Sequence, residues 1–366
     1  MYQAPLPQEY ADLTIPEADE RIAKVKRDMG HRLVILGHHY QRDDVIKHAD
    51  YRGDSYKLAK DASRHPEAEF IVFCGVHFMA ESADILTGDE QKVILPNLAA
   101  GCSMADMANL FQVRNCWKQL ETIPGVDTSR IVPVTYINSA ANLKAFVGER
   151  GGTVCTSTNA PTAVSWALEQ GDKVLFFPDQ HLGRNTGVKL GYDPDNDMCL
   201  WDPFKPMGGN TAEKIAASKF ILWKGHCSVH QRFTVEQIEK ARKDLPGVTV
   251  IVHPECELDV LQAADLNGST EYIIKAIESS EPGSKWAVGT EINLVSRLSK
   301  ELPDREIICL DPLICPCSTM YRIHPSFLCW TLENLARGEV VNQVSVPPKV
   351  KYFAEMALQR MLTVCA

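Results

Sequence analysis

The chain has 366 residues, 45% of them hydrophobic and 23% charged, with 38 Lys+Arg against 47 Asp+Glu and a net charge of −9. That balance excludes a largely disordered, collagenous or coiled-coil chain, and the acidic excess excludes a general nucleic-acid surface, which needs clustered Lys and Arg. At roughly 100–200 residues per domain, the length allows two or three compact units.

From the N-terminus, Met1 to Tyr10 is polar and carries proline, with no basic segment leading into an apolar one. No run reaches the ~18 apolar residues of a membrane span. A soluble, cytoplasmic protein is therefore expected. Short β-branched runs then alternate with polar, helix-like stretches. Strands are predicted at Arg32–Leu36, Phe70–Phe73, Val93–Leu95, Ile131–Thr135, Val174–Phe177, Phe220–Trp223, Val248–Val252, Lys285–Val288 and Glu306–Leu310. Helices are predicted at Val45–Lys60, Thr234–Lys243 and Tyr272–Glu278, the second opening with capping-box spacing from Thr234 to Gln237. Alternation of this kind is the pattern of βα units around parallel sheets, and the fold class is α/β. The segment from Gly191 to Asn210 reads as an irregular, solvated surface excursion. Its Asp193–Asp197 run lacks the spacing of a calcium loop.

The functional signal lies in the residues just past each strand. Gly37-His38-His39-Tyr40-Gln41 comes after the first, Tyr136-Ile137-Asn138-Ser139 after the fourth, and His253-Pro254-Glu255-Cys256 after the seventh. Lys224-Gly225-His226-Cys227 comes after Trp223, and Asp311 to Cys317 after the last strand. The carboxyl ends of parallel strands form the ligand crevice of such sheets, so polar and thiol side chains are delivered repeatedly to the place of chemistry.

Twelve cysteines are present. In a long chain without an export signal they read as thiols or metal ligands. Cys74 and Cys309 sit in apolar runs and read as core, and Cys256 reads as packing. Cys102, Cys227 and Cys317 come after strands in Gly- or Pro-marked turns. Their wide spacing matches neither a zinc ribbon nor a ferredoxin run, yet three thiolates from three βα units could hold zinc or an iron–sulfur cluster. Three ligands on a cubane would leave one iron open as a Lewis acid. Buried structural thiols are the alternative.

Twelve motifs, taken in order from His38 to Met320, resemble those of the quinolinate synthase family. They are His38-His-Tyr-Gln, Gly53-Asp-Ser, Gly75-Val-His-Phe-Met-Ala-Glu, Gly101-Cys-Ser-Met-Ala, Tyr136-Ile-Asn-Ser and Cys155-Thr-Ser-Thr-Asn-Ala. Then come Pro178-Asp-Gln-His-Leu-Gly, Trp223-Lys-Gly-His-Cys-Ser-Val-His, His253-Pro-Glu-Cys, Gly268-Ser-Thr, Val288-Gly-Thr-Glu and Cys317-Ser-Thr-Met. The resemblance implies a transferase of NAD biosynthesis that condenses iminosuccinate with dihydroxyacetone phosphate to quinolinate, phosphate and water. It implies three similar three-layer α/β/α domains with short parallel sheets, in a triangular, pseudo-threefold arrangement around a central [4Fe-4S] cluster. The expected domains are 1–108 plus 320–366, 109–227 and 228–319, with the C-terminal stretch packed on the first.

The resemblance further assigns Cys102, Cys227 and Cys317 as cluster ligands. It assigns His38, Ser55, Tyr136, Asn138, Ser157, His253, Glu255 and Thr270 to the substrates. Ser269 joins them as a hydroxyl at a helix start, where anions are favoured. Glu255 is the expected general base, as a partly desolvated carboxylate with a raised pKa, with Tyr136, Tyr40 and His38 as proton relays or donors. No role is assigned to His39 or Cys315. The expected partners are the two small substrates and a transient contact with an aspartate-oxidising enzyme. Two other readings compete: an Fe–S hydro-lyase acting on another hydroxy acid, and a zinc-binding hydrolase using Cys227, His226, His230 and Cys256.

Overall fold

The computed structural model describes residues 3–311, 313 and 316–365, so Cys315 lies outside the described residues. Among the described residues there are three sheets, all of their strands parallel except one. The first holds β1 (Leu33–His38), β2 (Tyr51–Gly53), β3 (Phe70–Cys74) and β4 (Lys92–Ile94). The second holds β5 (Ile131–Tyr136), β6 (Thr153–Cys155), β7 (Lys173–Phe177), β8 (Met198–Trp201) and β9 (Phe220–Trp223). The third holds β10 (Thr249–Val252), β11 (Leu266–Asn267), β12 (Lys285–Gly289) and β13 (Glu306–Cys309). Strand β14 (Gln343–Val344) returns to pair antiparallel with β4.

One topology recurs. The sheets run β2-β1-β3-β4, β6-β5-β7-β9 and β11-β10-β12-β13, with β14 and β8 added at two edges. Each is a second-first-third-fourth order, so the chain carries the same parallel arrangement three times. The central strands are continuous hydrophobic runs because helices cover both faces of such sheets. All residues of β1, β3, β5 and β7 are buried.

By its internal contacts the chain divides into two compact units. One comprises Met1–Cys102, Glu291–Lys300 and Ile314–Pro347, and contains the first sheet. The other comprises Ser103–Thr290, Glu301–Leu313 and Pro348–Ala366, and contains the second and third.

All nine predicted strands are present, with ends moved by no more than a few residues. Four expectations need correction. The helix predicted over Val45–Lys60 is interrupted, because β2 lies between the helices Asp43–Ile46 and Ser55–Ala62. The segment from Gly191 to Asn210 is not a solvated loop. It contains β8, which pairs with β9 and buries Met198, Cys199 and Trp201, while Asp193 folds the acidic run into a turn by accepting the amides of Asp195 and Asn196, each at 2.8 Å. Cys309 is half-buried on the edge strand β13 rather than in the core. Finally, the C-terminal helix Pro348–Val364 packs on the helix Ala141–Glu149 and on β6, in the second unit. A Cβ at Gly148 would overlap the Phe353 carbonyl, so glycine is what lets these two helices meet backbone to backbone. Among the described residues no helix is long and apolar enough to cross a membrane.

Candidate active site

In the second unit, β5 and β10 deliver their polar ends to one another. Tyr136, the last residue of β5, donates its hydroxyl to Glu255 Oε1 at 2.6 Å. The other carboxylate oxygen, Oε2, pairs with His230 Nδ1 at 2.8 Å, and His230 Nε2 pairs with Thr290 Oγ1 at 3.1 Å. His253 lies flat on His230, with ring centroids 4.3 Å apart and planes 16° from parallel. Tyr136, His230, His253 and Glu255 are each no more than 4% exposed.

The turn that carries Glu255 is fixed from both sides. Cys256 is anchored in the apolar core with Val250, Val252 and Val260. On the other side Asn185 donates to the carbonyls of Pro254 at 2.9 Å and Cys256 at 2.8 Å. Cys256 is thus a core residue, and burial pushes its thiol well above the usual range. Among the described residues the grouping that could hold a metal contains Cys227 and His230 of the expected zinc set but not Cys256.

Burial alone would raise the Glu255 carboxyl. The neighbouring His253 and His230 and the hydrogen bonds from His230 and Tyr136 outweigh it and hold the group at about 2. The expectation of a raised Glu255 is therefore corrected: its donors keep it ionised. His253 is pushed the other way, to about 3, by burial first and by His230 second, so it is neutral at physiological pH. Near Glu255, Asp179 is raised well above its ordinary value by burial and by the Glu255 charge. His181 is lowered to about 4 by burial and by Arg184 and His226.

A cleft of about 550 Å³ in the same unit is lined by Ser157, Asn185, Lys189, Pro254, Ser269 and Tyr272, among others. Ser269 caps the helix Thr270–Glu278, accepting the Tyr272 amide at 3.4 Å, and Thr270 is that helix's first residue. Ser157 and Ser269 thus face one cavity. Asn138 is half-buried and Thr270 buried, and neither lines it.

His38, Tyr40, Ser55, Cys102 and Cys317 belong to the first unit. His38 ends β1, and its Nδ1 accepts the Tyr40 amide at 3.1 Å, with the Tyr40 ring edge-on at 4.8 Å. The helix Ile292–Glu301 ties this turn down. Arg297 donates to the carbonyls of His39 and, at 3.1 Å, Gln41, and it pairs with Asp43 at 3.1 Å. Ser55 is the first residue of its helix, but Asp54 is the cap, accepting the amides of Tyr56 and Lys57. Glu291 is buried beside Cys317, whose amide it accepts at 3.1 Å. It also accepts from Asn293, whose amide lies at 2.8 Å and whose side chain lies at 2.9 Å, and from the Leu294 amide at 3.4 Å. Burial dominates here and raises Glu291 to about 7.

The cysteines separate by environment. Burial pushes Cys74 and Cys329 up to about 12 and Cys116 and Cys155 well above the usual range, which marks them as inert thiols. Cys102, Cys227 and Cys317 are half-buried thiols in turns. Donors of this softness and exposure fit zinc or iron–sulfur ligation, and the chain's implied cluster is compatible with them. Cys227 also lies with His230 and Glu255 in a group whose ligand atoms are all within 4.8 Å of one another, a candidate metal-binding site.

Reasoning from sequence missed His230 and Thr290 as partners of Glu255, and Asp179, His181, Asn185 and Glu291 altogether. Asp179 and Glu291 stood inside recognised motifs, each just ahead of a helix, where an acidic residue is the ordinary capping signal.

A family model described as Quinolinate synthetase A protein matches residues 20–363. The quinolinate synthase of Corynebacterium glutamicum is 59% identical over 362 residues, covering 99% of this chain and 91% of that protein. That of Streptomyces coelicolor is 55% identical over 357 residues, covering 96% and 90%. That of Rhodopirellula baltica is 50% identical over 366 residues, covering 97% and 93%. With the strand-end site in place and these relatives matching nearly end to end, the chain belongs to the quinolinate synthase family of enzymes.

Proposed function

We propose that the chain condenses iminosuccinate with dihydroxyacetone phosphate to quinolinate, phosphate and water, as a step of de novo NAD biosynthesis in the cytoplasm. The observation that carries this reading, beside family membership, is the buried network in which Tyr136 and His230 both serve the Glu255 carboxylate. A condensation with repeated proton removal needs an acceptor, a hydroxyl donor and an imidazole within hydrogen-bond reach of one another.

In this reading Glu255 is the base. In the resting site two donors hold its charge and make it a weak acceptor. When substrate draws Tyr136 or His230 away, the buried carboxylate loses a donor and its basicity rises. Tyr136 returns the proton to a developing enolate oxygen. His253, neutral and buried, donates to a substrate carboxylate or phosphate, as do Asn138, Ser55 and Thr270. Ser157 and Ser269 bind an anionic group in the cleft, where the positive end of the helix Thr270–Glu278 adds to the attraction. His38 and Tyr40 act as further donors from the first unit.

Cys102, Cys227 and Cys317 are the residues that would hold a [4Fe-4S] cluster. When bound, such a cluster supplies a fourth iron with an open position, a Lewis acid for loss of a substrate hydroxyl as water. The recurrence of one strand order supports a three-domain reading, divided near residues 108, 227 and 319. Iminosuccinate is unstable in water, which favours transient contact with the aspartate-oxidising enzyme that makes it.

The test is quinolinate formation by anaerobically purified protein supplied with iminosuccinate and dihydroxyacetone phosphate. Product with stoichiometric phosphate release supports the reading. Dehydration of another hydroxy acid without any need for the triose phosphate would replace it by an Fe–S hydro-lyase.

A further inference from the structure

In the first two sheets the repeat of strand order extends to the turns that carry the cysteines. In the first sheet the amide of His77, the first residue of the helix after β3, donates to the carbonyl of Ala100 at 2.9 Å. In the second the amide of Gln180, first residue of the helix after β7, donates to the carbonyl of Gly225 at 2.9 Å. Each carbonyl stands two residues before a cysteine, Cys102 or Cys227. The approach is close: a Cβ at Gly225 would overlap the Pro178 carbonyl. So the start of the helix after the third strand is built against the cysteine turn that comes after the fourth.

The residue just ahead of that helix is what differs. After β7 it is Asp179, which caps its helix through Leu182 at 2.8 Å and whose carboxylate the Cys227 amide faces. After β12 it is Glu291, whose Oε1 accepts the Cys317 amide at 3.1 Å while Oε2 takes the Asn293 amide. After β3 it is Val76, which caps nothing. One repeat thus places a buried carboxyl group on the backbone N–H of the cysteine itself, at Glu291 and Cys317, while Asp179 Oδ2 stays buried without a hydrogen-bond partner. The contact is too specific to be required by capping, which needs only the helix's own amides.

We propose that Glu291 is a positioning residue for Cys317, a carboxyl brace that fixes the ligand turn by holding the cysteine's own amide. This rests on the reading of Cys317 as a cluster ligand. The brace aims the thiolate before metal arrives and removes the entropy of a loose Pro316–Thr319 turn from the bound state. Partners outside the ligand set that orient ligands typically change metal retention 10–100-fold when removed.

The experiment measures iron release to a chelator without oxygen, together with the EPR spectrum of the reduced protein, for the parent, E291D, E291A, E291Q and C317A. Aspartate keeps the helix cap but is one methylene too short for the Cys317 amide, so E291D separates the brace from the fold. Expected are about tenfold or faster iron release and an altered spectrum in E291D and E291A, with the melting temperature of E291D near the parent's. E291Q, which keeps an acceptor oxygen for the amide, restores most of the retention. Parent-like iron release and spectrum in E291D overturn the proposal while C317A still loses iron. If C317A keeps the parent's iron and spectrum, the ligand reading fails first and the proposal falls with it.

Discussion

The hydroxyl of Tyr136 and the carboxylate of Glu255 meet at 2.6 Å across 119 residues of chain, joining the end of β5 to the turn after β10. A buried carboxylate ordinarily resists ionisation, yet this one is held down at about 2, because each of its oxygens faces a donor. The ionised acceptor and its two donors are therefore a pre-formed hydrogen-bonded unit rather than a lone carboxylate.

Removing the phenol separates the unit. Y136F leaves His230 on Glu255 and keeps the ring, but it strips the buried Oε1 of its hydroxyl donor, so the fold should be kept with a stability loss of about 1–3 kcal/mol. Quinolinate formation should fall about 10²-fold or more in kcat, the usual contribution of a positioned acid or base. Steady-state assay beside a thermal melt checks both halves. A parent-like kcat would remove Tyr136 from the chemistry.

His230 carries a structural burden that Tyr136 does not. It is sandwiched against His253 at 4.3 Å and bonded to both Glu255 and Thr290. H230A strips the buried Glu255 Oε2 of its hydrogen-bond partner, which costs about 1–3 kcal/mol or more for a charged acceptor. Denaturant unfolding of H230A and of H230A/E255Q gives the contrast: the double variant should recover part of that loss because no unpaired charge remains.

The cleft predicts a substrate-specific effect. S269A removes a helix cap, worth about 1 kcal/mol of stability, and a hydroxyl facing the cavity shared with Ser157. KM for one anionic substrate should rise about tenfold, corresponding to the loss of one hydrogen bond to a charged group, with kcat changed less. An equal fall in kcat with KM unchanged would place Ser269 outside ground-state binding.

The inert thiols set the alkaline limit of stability. Cys74 is fully buried and its pKa is raised from 9.0 to about 12, while Cys116 and Cys155 are raised well above 9.0. A raised thiol keeps its full contribution below the unfolded value and loses it as pH climbs from there toward the folded value. The window is thus pH 9 to 12 for Cys74. Each such thiol contributes a slope of about 1.4 kcal/mol per pH unit. Urea unfolding between pH 8 and 11 should show stability falling above pH 9, and C74A should flatten that fall.

The central strands were legible because parallel sheets buried on both faces demand unbroken apolar runs, and Phe220–Trp223 is found with the ends read from sequence. Strand β2 was not, since Tyr51 and Arg52 are exposed at an edge and the surrounding composition is helical. Strand β8 was masked by the Asp- and Pro-rich residues around it. At the site, Tyr136, His253 and Glu255 could be read from their place after strands. The sign of the Glu255 shift could not, because its donors arrive from 119 and 25 residues away. Burial can be guessed from local sequence, but hydrogen-bond satisfaction is a tertiary property. The same holds for Glu291 and Cys317, 26 residues apart and joined only by the fold.

The most direct test is iron and sulfide analysis with Mössbauer spectroscopy on anaerobically prepared protein, run with the quinolinate assay on the parent, C102A, C227A and C317A. The account predicts about four irons per chain in one cluster, product from the parent, and loss of both in every variant. Zinc in place of iron, or quinolinate formed by protein that holds no iron, would contradict it.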